Sequence, residues 1–138
     1  MEGKTYGVTG GASGIGLALA KLLATRGAQI SMCDISMTAL EKARDALVES
    51  SPNTKPEDIL LATCDVREPS QIQSWLKQTV QKFGRLDGAA NVAGVVSKYH
   101  GMQEGYLMNQ DQKEWDFVLG VNLTVGYSAT KDVYEFQN

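Results

Sequence analysis

The sequence predicts an α/β fold, a doubly wound parallel sheet of about four strands with helices on both of its faces. Three observations support this prediction. Short apolar runs alternate with longer amphipathic stretches, glycines follow two of those stretches, and a glycine-rich turn separates the first run from the first stretch. Strands that alternate with helices pair in parallel through right-handed crossovers, so a ligand is expected at the carboxyl ends of the strands.

The first two predicted strands span residues 5–9 and 29–34, and a helix is predicted between them. Apolar residues recur there at helical spacing until Gly27, which is typical of a helix C-terminus; they are Ile15, Ala18, Leu19, Leu22 and Leu23. After the second strand, Thr38 and Glu41 have the spacing of a capping box, which predicts the start of a second helix. The residues predicted on its buried side are Leu40, Ala43 and Leu47.

Residues 51–58 contain two prolines and are predicted to form a loop before a third strand over residues 59–64. A capping box beginning at Ser70 predicts a third helix that ends at Gly84. The apolar stripe of this helix is Ile72, Trp75, Leu76, Val80 and Phe83. Residues 86–92 are apolar almost throughout, as expected for a central parallel strand that is buried on both faces.

A fourth helix is predicted from a further capping box, formed by Asp111 and Glu114. Helical spacing places one stripe of its residues toward the core; they are Trp115, Val118, Leu119 and Asn122. Because Asn122 is an amide on an otherwise apolar stripe, we expect it to have a hydrogen-bonding partner.

The composition limits the classes of function. A chain of 138 residues, 43% of them hydrophobic, is long enough to bury one core, so a single domain over residues 1–138 is expected. The net charge of −3 and the scattered basic residues disfavour nucleic acid as a partner. The N-terminus does not resemble a signal sequence, and no apolar run approaches the ~20 residues needed to span a bilayer. A soluble, cytoplasmic protein without a membrane partner is therefore expected.

The two cysteines and the single histidine do not suggest a metal centre. Cys33 and Cys64 stand alone rather than in a C-x-x-C pattern, and His100 has no neighbour at ligand spacing. We therefore expect no metal site and no disulfide, and both cysteines are predicted to be buried at strand ends.

A glycine-rich turn lies between the first predicted strand and the first helix. Gly10, Gly14 and Gly16 stand at spacings that permit a tight turn, close approach of a pyrophosphate and close packing of the helix. A glycine triplet alone is a weak signal, because ordinary turns also use glycine. Its position between a strand and a helix favours a phosphate-binding turn.

An acidic residue ends the second predicted strand, 18 positions after Gly16. At this place Asp34 is expected to accept hydrogen bonds from both ribose hydroxyls and to repel a 2′-phosphate. This predicts NAD as the cofactor, with NADP as the alternative. A solvated aspartate that starts a turn is the alternative interpretation of Asp34.

Three motifs, in order along the chain, resemble the classical short-chain dehydrogenase/reductase family. They are Thr-Gly-x-x-x-Gly-x-Gly at Thr9 to Gly16, Cys64-Asp65-Val66, and Asn91-Val92-Ala93-Gly94, in which valine replaces the second asparagine of the family's motif. The resemblance implies a Rossmann-like fold and a nicotinamide cofactor. Family members that use NADP often carry a basic residue where this chain has Ser13 or Ile35.

The resemblance also implies which residues contact the cofactor. Asp65 would bond the adenine amino group, and Asn91 with Gly94 would support the ribose and the central strand. The alternative interpretation of Asn91 is a turn residue at a strand end. The cofactor-binding residues implied are Thr9, Gly10, Ser13, Gly14, Ile15, Gly16, Asp34, Asp65, Val66, Asn91, Ala93, Gly94, Tyr127 and Lys131.

Two further matches imply a catalytic set of Asn122, Tyr127 and Lys131. Val121-Asn122-Leu123 is similar to the family's motif whose asparagine holds a water that relays protons to the active-site lysine. Taken without the family, Asn122 is more often a structural hydrogen-bonding residue. Tyr127 and Lys131 fit the catalytic Tyr-x-x-x-Lys, in which tyrosine is the acid/base and lysine lowers its pKa. The implied reaction is hydride transfer between the cofactor and a small secondary alcohol or ketone.

The chain departs from the family's pattern after Asn122. Tyr127 follows by only five positions, which leaves no room for the fifth strand or for the catalytic serine that precedes the tyrosine in the family. The family's later strands and substrate-binding helices have no counterpart in this sequence. The alternative function is therefore a catalytically impaired dinucleotide-binding fragment or truncated gene product. A homo-oligomer that pairs through the uncovered edge of the fourth strand is also predicted.

Overall fold

Four parallel strands form one sheet in the computed structural model, which describes residues 1–103 and 106–124 of the chain. The strands are β1 (Thr5–Thr9), β2 (Gln29–Asp34), β3 (Ile59–Thr63) and β4 (Gly88–Asn91), and their order in the sheet is β3-β2-β1-β4. Thr5 pairs with Gln29, and Ile30 pairs with Ile59. The predicted parallel sheet is confirmed, with β1 in its interior.

Four α-helices connect or follow the strands within the described part of the chain. They are α1 (Gly14–Thr25), α2 (Met37–Ser50), α3 (Pro69–Phe83) and α4 (Gln112–Leu119). Short 3₁₀ turns cover Pro56–Asp58 and Leu107–Asn109, and a π-helical turn over Gly120–Thr124 follows α4 directly.

Two hydrophobic cores lie on opposite faces of the sheet. One core joins Val8, Ile30 and Met32 of the strands to residues of α1 and α2; these are Ala20, Leu23, Ala24, Leu40, Ala43 and Leu47. The other joins Cys33 and Ala62 to α3; its larger members are Ile72, Trp75 and Leu76. Helices therefore cover both faces, which confirms the doubly wound, Rossmann-like arrangement.

A buried hydrogen-bonding cluster fixes α3 against β2. The indole N–H of Trp75 donates to the Ser31 hydroxyl at 2.7 Å, and the hydroxyls of Ser31 and Thr79 also lie 2.7 Å apart. Both hydroxyl side chains belong to fully buried residues. Because every polar atom of this cluster has a partner, it orients α3 without leaving an unsatisfied group in the core.

Two helices begin at other residues than the capping boxes predict. The N-cap of α2 is Ser36, whose hydroxyl accepts the Ala39 N–H at 3.2 Å, so the helix starts before Thr38. The N-cap of α3 is Glu68, and Pro69 takes the first helical position ahead of Ser70. Proline suits that position because its fixed φ is helical and its missing N–H would have no intrahelical acceptor.

The predicted inward stripe of α4 is correct only in part, because Val118 and Leu119 are half-buried but Trp115 and Asn122 are exposed. Glu114 and Val121 are buried, whereas Trp115 is 41% exposed. Asp111 is the N-cap as predicted, but Glu114 does not complete the capping box, because its carboxylate accepts the Lys98 backbone N–H at 2.8 Å. The loop after β4 therefore turns Glu114, rather than Trp115, toward the rest of the molecule.

The fourth strand is shorter and less buried than predicted. It covers Gly88–Asn91 instead of residues 86–92; its first three residues are half-buried and Asn91 is exposed. This follows from its place at the edge of the sheet, where no described strand covers its outer side.

Other features agree with the sequence prediction. Gly84 ends α3 with a φ of +76°, and its N–H donates to the Val80 carbonyl. Cys33 and Cys64 are free thiols and are buried, as expected for strand ends. Among the described helices, none is long and apolar enough to cross a bilayer.

Candidate functional site

An open cavity of about 740 Å³ lies at the carboxyl ends of the strands, the edge at which the sequence predicts a ligand. A volume of this size falls in the range of small-molecule and cofactor sites. The residues that line it are Gly10, Ser13, Gly14, Ile15, Gly16, Asp34, Ile35, Cys64, Asp65, Val66, Arg67, Val92, Ala93, Gly94, Val95, Phe117 and Val121.

The glycine turn after β1 is as tight as its sequence predicts. Gly10 has a φ of +64°, and a Cβ placed on it would lie 2.8 Å from the Ala93 Cα. A Cβ on Gly16 would overlap the Gly10 carbonyl oxygen. Glycine is therefore required at both positions. At Gly10 the segment after β4 comes too close for a side chain, and at Gly16 the backbone of the turn itself does.

Gly14 differs from the other two glycines because its space is open. It has a φ of +51°, and no atom would lie within 4 Å of a Cβ built on it. It begins α1, whose N-cap Ser13 makes no side-chain capping bond. The helix N-terminus, Ser13 and Gly14 thus border unfilled space at a point suited to a phosphate group.

Thr9 joins the glycine turn to the segment after β4 from behind the cavity. Its buried hydroxyl oxygen accepts the backbone N–H groups of Val92 at 3.0 Å and Ala93 at 3.1 Å. Thr9 does not line the cavity, so its observed contacts hold two cavity-lining segments in register.

Asp34 ends β2 at the rim of the cavity. Its Oδ2 accepts the Ala12 N–H at 3.2 Å, and its Oδ1 accepts the Ser36 N–H at 3.4 Å. Each carboxylate oxygen can accept more than one hydrogen bond, so Asp34 retains capacity for a ligand. The neighbouring lining residues Ser13 and Ile35 carry no charge.

Asp65, at the next strand end, forms an ion pair with Arg67. Oδ1 of Asp65 accepts the Arg67 backbone N–H at 3.0 Å and Nε–H at 2.9 Å, and Oδ2 accepts Nε–H at 3.1 Å and Nη2–H at 2.5 Å. The hydrogen bonds from Arg67 lower the pKa of Asp65, although partial burial acts in the opposite direction. The carboxylate is therefore held in its charged form.

Arg67 and Phe117 are functional candidates that the sequence analysis missed. The guanidinium carbon of Arg67 lies 5.1 Å from the centre of the Phe117 ring, and both residues line the cavity. The spacing of Asp65 and Arg67 directly after a strand was a signal in the sequence. The contact between Arg67 and Phe117 could not be predicted from the sequence, because it joins distant parts of the chain.

Asn122 is hydrogen-bonded to Val95, which lines the cavity. Its Nδ2–H donates to the Val95 carbonyl and its Oδ1 accepts the Val95 N–H, both at 2.8 Å. A Cβ on Gly94 would lie 3.3 Å from the Asn122 Oδ1. Asn122 is exposed as a whole, contrary to the prediction of an inward-facing amide, but the expected hydrogen-bonding partner is present.

The cavity brings together most of the predicted cofactor-binding residues. Thr9, Asn91 and Asn122 adjoin lining residues without lining the cavity themselves. Tyr127 and Lys131 lie outside the described residues. Within residues 1–103 and 106–124, no group of three or more His, Cys, Asp or Glu side chains could hold a metal ion.

Comparison with protein families decides the class of this fold. The profile of the short chain dehydrogenase family matches residues 4–137. The chain belongs to the short-chain dehydrogenase/reductase family. This family uses NAD(P) cofactors and acts on small-molecule substrates.

Two curated relatives of this short-chain dehydrogenase/reductase chain come from fungi. It is 44% identical to the short-chain dehydrogenase/reductase aba4 of Botryotinia fuckeliana over 128 residues. These residues cover 93% of this chain and 47% of that protein. It is 35% identical over 132 residues to the chanoclavine-I dehydrogenase ifgE of Penicillium roqueforti, and the match covers 95% of this chain and 49% of that protein. The chain thus spans about half the length of the curated relatives it matches.

Solved structures agree with the family assignment. A short-chain dehydrogenase/reductase of Serratia marcescens superposes with a TM-score of 0.84 at 28% identity, over 99% of this chain and 52% of that one. An actinorhodin polyketide ketoreductase solved with NADPH gives a TM-score of 0.84 at 27% identity, over 96% of this chain and 47% of that one.

Proposed function

We propose that this chain carries the cofactor-binding half of an oxidoreductase that transfers a hydride between NAD and a small secondary alcohol or ketone. The observation that supports NAD over NADP is the position of Asp34. Its carboxylate lines the cavity at the end of β2, and no basic residue stands at position 13 or 35 to receive a 2′-phosphate. Ribose hydroxyls can donate to such a carboxylate, whereas a phosphate would be repelled by it.

The residues of the glycine turn fit the pyrophosphate of a dinucleotide. Gly14 leaves open space, and the N-terminus of α1 supplies backbone N–H groups and the positive end of the helix dipole. The cofactor-binding residues proposed are those named from the sequence. A bound nicotinamide ring would supply the hydride donor or acceptor, which no side chain can provide.

Asn122, Tyr127 and Lys131 remain the proposed catalytic residues. Tyr127 would exchange a proton with the substrate oxygen, and the positive charge of Lys131 would favour its ionised form. The paired hydrogen bonds between Asn122 and Val95 support a role in holding the loop at the cavity wall. The proton-relay role implied by the family resemblance stays a prediction.

A second candidate function is dinucleotide binding without turnover. Tyr127 follows Asn122 by five positions, and the described sheet ends at β4. A connection this short cannot contain the strand that precedes the tyrosine in the family, so alignment of the Tyr127 phenol with a substrate would lack that support. Misplacement of about 1 Å can cost on the order of 10²-fold in rate.

Two further proposals concern the cellular compartment and the oligomeric state of the protein. The free thiols of Cys33 and Cys64 suit a reducing compartment such as the cytoplasm. The outer side of β4 suits pairing with a second copy of the chain in a homo-oligomer.

Oxidation of NADH by the purified chain in the presence of a panel of small ketones separates the two candidate functions. The oxidoreductase proposal predicts turnover that Tyr127→Phe abolishes. Binding without turnover would favour the second candidate. Turnover that survives Tyr127→Phe would contradict the assignment of the acid/base.

A further inference from the structure

The guanidinium group of Arg67 is held as a rigid plane beside the cavity. Both carboxylate oxygens of Asp65 accept hydrogen bonds from its side chain, and the Phe117 ring lies 5.1 Å from its central carbon. Yet the Arg67 side chain is 44% exposed and lines the cavity. The cationic group is thus held by Asp65 and Phe117 and remains partly accessible at the cavity.

The same contacts use most of the acceptor positions of Asp65. A carboxylate offers about four acceptor positions, and Asp65 accepts hydrogen bonds from three N–H groups of Arg67: the backbone N–H, the Nε–H, which both oxygens share, and the Nη2–H. The carboxylate therefore orients the guanidinium group of Arg67 and retains room for one further donor.

We propose that Arg67 stacks on the purine ring of the cofactor, and that Asp65 and Phe117 act as positioning residues for its guanidinium plane. Guanidinium planes stack on bases and on aromatic rings, whereas the ammonium of lysine is a point charge. Ile35 lines the same cavity and is 72% exposed, so apolar surface is also available to a purine. This inference rests on the proposed binding of a dinucleotide.

Titration calorimetry with ligands that differ at the purine tests this role. The ligands are NAD, AMP, nicotinamide mononucleotide, which has no purine, and deamino-NAD, whose purine lacks the amino group. The variants are Arg67→Ala and Arg67→Lys. Arg44→Ala is the matched control, because Arg44 also pairs with a nearby aspartate, Asp45, but does not line the cavity. Thermal unfolding of each variant verifies that it is folded.

Stacking predicts a loss specific to ligands that contain a purine. Arg67→Ala should weaken NAD and AMP by about tenfold, the range typical of a base stacked on a side chain, and leave nicotinamide mononucleotide within about twofold. Arg67→Lys keeps the charge and should lose most of the same affinity. Arg44→Ala should bind as the unaltered protein does, and deamino-NAD should bind within a few-fold of NAD.

Other outcomes would overturn the inference. Unchanged affinity for NAD in a folded Arg67→Ala or Arg67→Lys protein would remove Arg67 from the purine site while leaving the proposed function intact. Failure of the unaltered protein to bind NAD or NADP would refute the proposed function and this inference together.

Discussion

The side-chain amide of Asn122 forms a closed pair of hydrogen bonds with the backbone of Val95, one to its carbonyl and one from its N–H, both at 2.8 Å. Asn122 lies in the π-helical turn after α4, and Val95 lies in the segment after β4. The pair therefore fixes the last described helical segment against the wall of the cavity.

Replacing Asn122 by alanine should destabilise the fold. Both backbone groups of Val95 would lose their partner, which is expected to lower the free energy of unfolding by about 1 to 2 kcal/mol. Urea unfolding monitored by circular dichroism measures this change. Asn53→Ala, in the exposed loop between α2 and β3, is the control and should differ from the unaltered protein by less than about 0.5 kcal/mol. Equal stability of both variants would show that the pair contributes nothing.

Replacing Asp34 by alanine should change the preference between cofactors. The variant would lose the carboxylate proposed to bind the ribose hydroxyls, along with its repulsion of a phosphate, so NAD should weaken relative to NADP by about 1.5 to 3 kcal/mol. Binding titrations with both cofactors measure the ratio. Asp45→Ala, which alters an exposed aspartate of α2, is the control. An unchanged ratio in the Asp34 variant would refute its assignment.

Valine at position 14 should abolish dinucleotide binding. Its side chain would enter space that is empty beside Gly14 and that the pyrophosphate is proposed to use. Gly101→Val controls for backbone strain, because Gly101 also has a positive φ and open surroundings but does not line the cavity. We expect both variants to lose some stability and only the Gly14 variant to lose affinity. Affinity retained by Gly14→Val would place the site elsewhere.

Asp87 should make the stability of the fold sensitive to acid. Its carboxylate accepts hydrogen bonds from Arg85, from the Thr5 N–H and from Lys4, and only 12% of the side chain is exposed. The Arg85 contact is the main reason that the pKa of Asp87 lies well below its ordinary value, with the Thr5 and Lys4 contacts adding and burial opposing. A lowered pKa in the folded state contributes stability above the ordinary pKa of about 4, and this contribution is lost as the pH falls through the folded value.

Urea unfolding between pH 7 and pH 2 tests this contribution. The unaltered protein should lose stability progressively below about pH 5. Asp87→Asn should be less stable at pH 7, by about 2 kcal/mol, and its stability should depend less on acid. Some dependence should remain, because Arg67 also lowers the pKa of Asp65. Parallel pH profiles for the two proteins would contradict the role of Asp87.

The sheet and the glycine turn could be predicted from the sequence because local patterns specify them. Alternating apolar runs specify strands, and the roles of Gly10 and Gly16 follow from backbone geometry that only glycine permits. The first residues of the helices were harder to predict. Ser36 and Glu68 are the N-caps of α2 and α3, although the capping-box pattern favours Thr38 and Ser70. Local sequence alone does not show which of two neighbouring polar residues will take the cap.

Contacts between distant segments explain what the sequence did not predict. Glu114 is turned inward by the Lys98 N–H, and Arg67 is fixed in part by Phe117, 50 positions later in the chain. Helical periodicity describes one helix at a time, so it favoured Trp115 as the inward residue. Polar contacts between Glu114 and Lys98 of the neighbouring loop reversed that choice.

Calorimetric titration of the purified 138-residue protein with NAD and with NADP tests the central claim most directly. The site at the carboxyl ends of β1, β2 and β3 predicts one mole of NAD bound per mole of chain, with NADP weaker by about tenfold or more, which corresponds to ~1.4 kcal/mol. Tighter binding of NADP would contradict the role of Asp34. The absence of binding by either cofactor to a folded chain would contradict the proposed cofactor site itself.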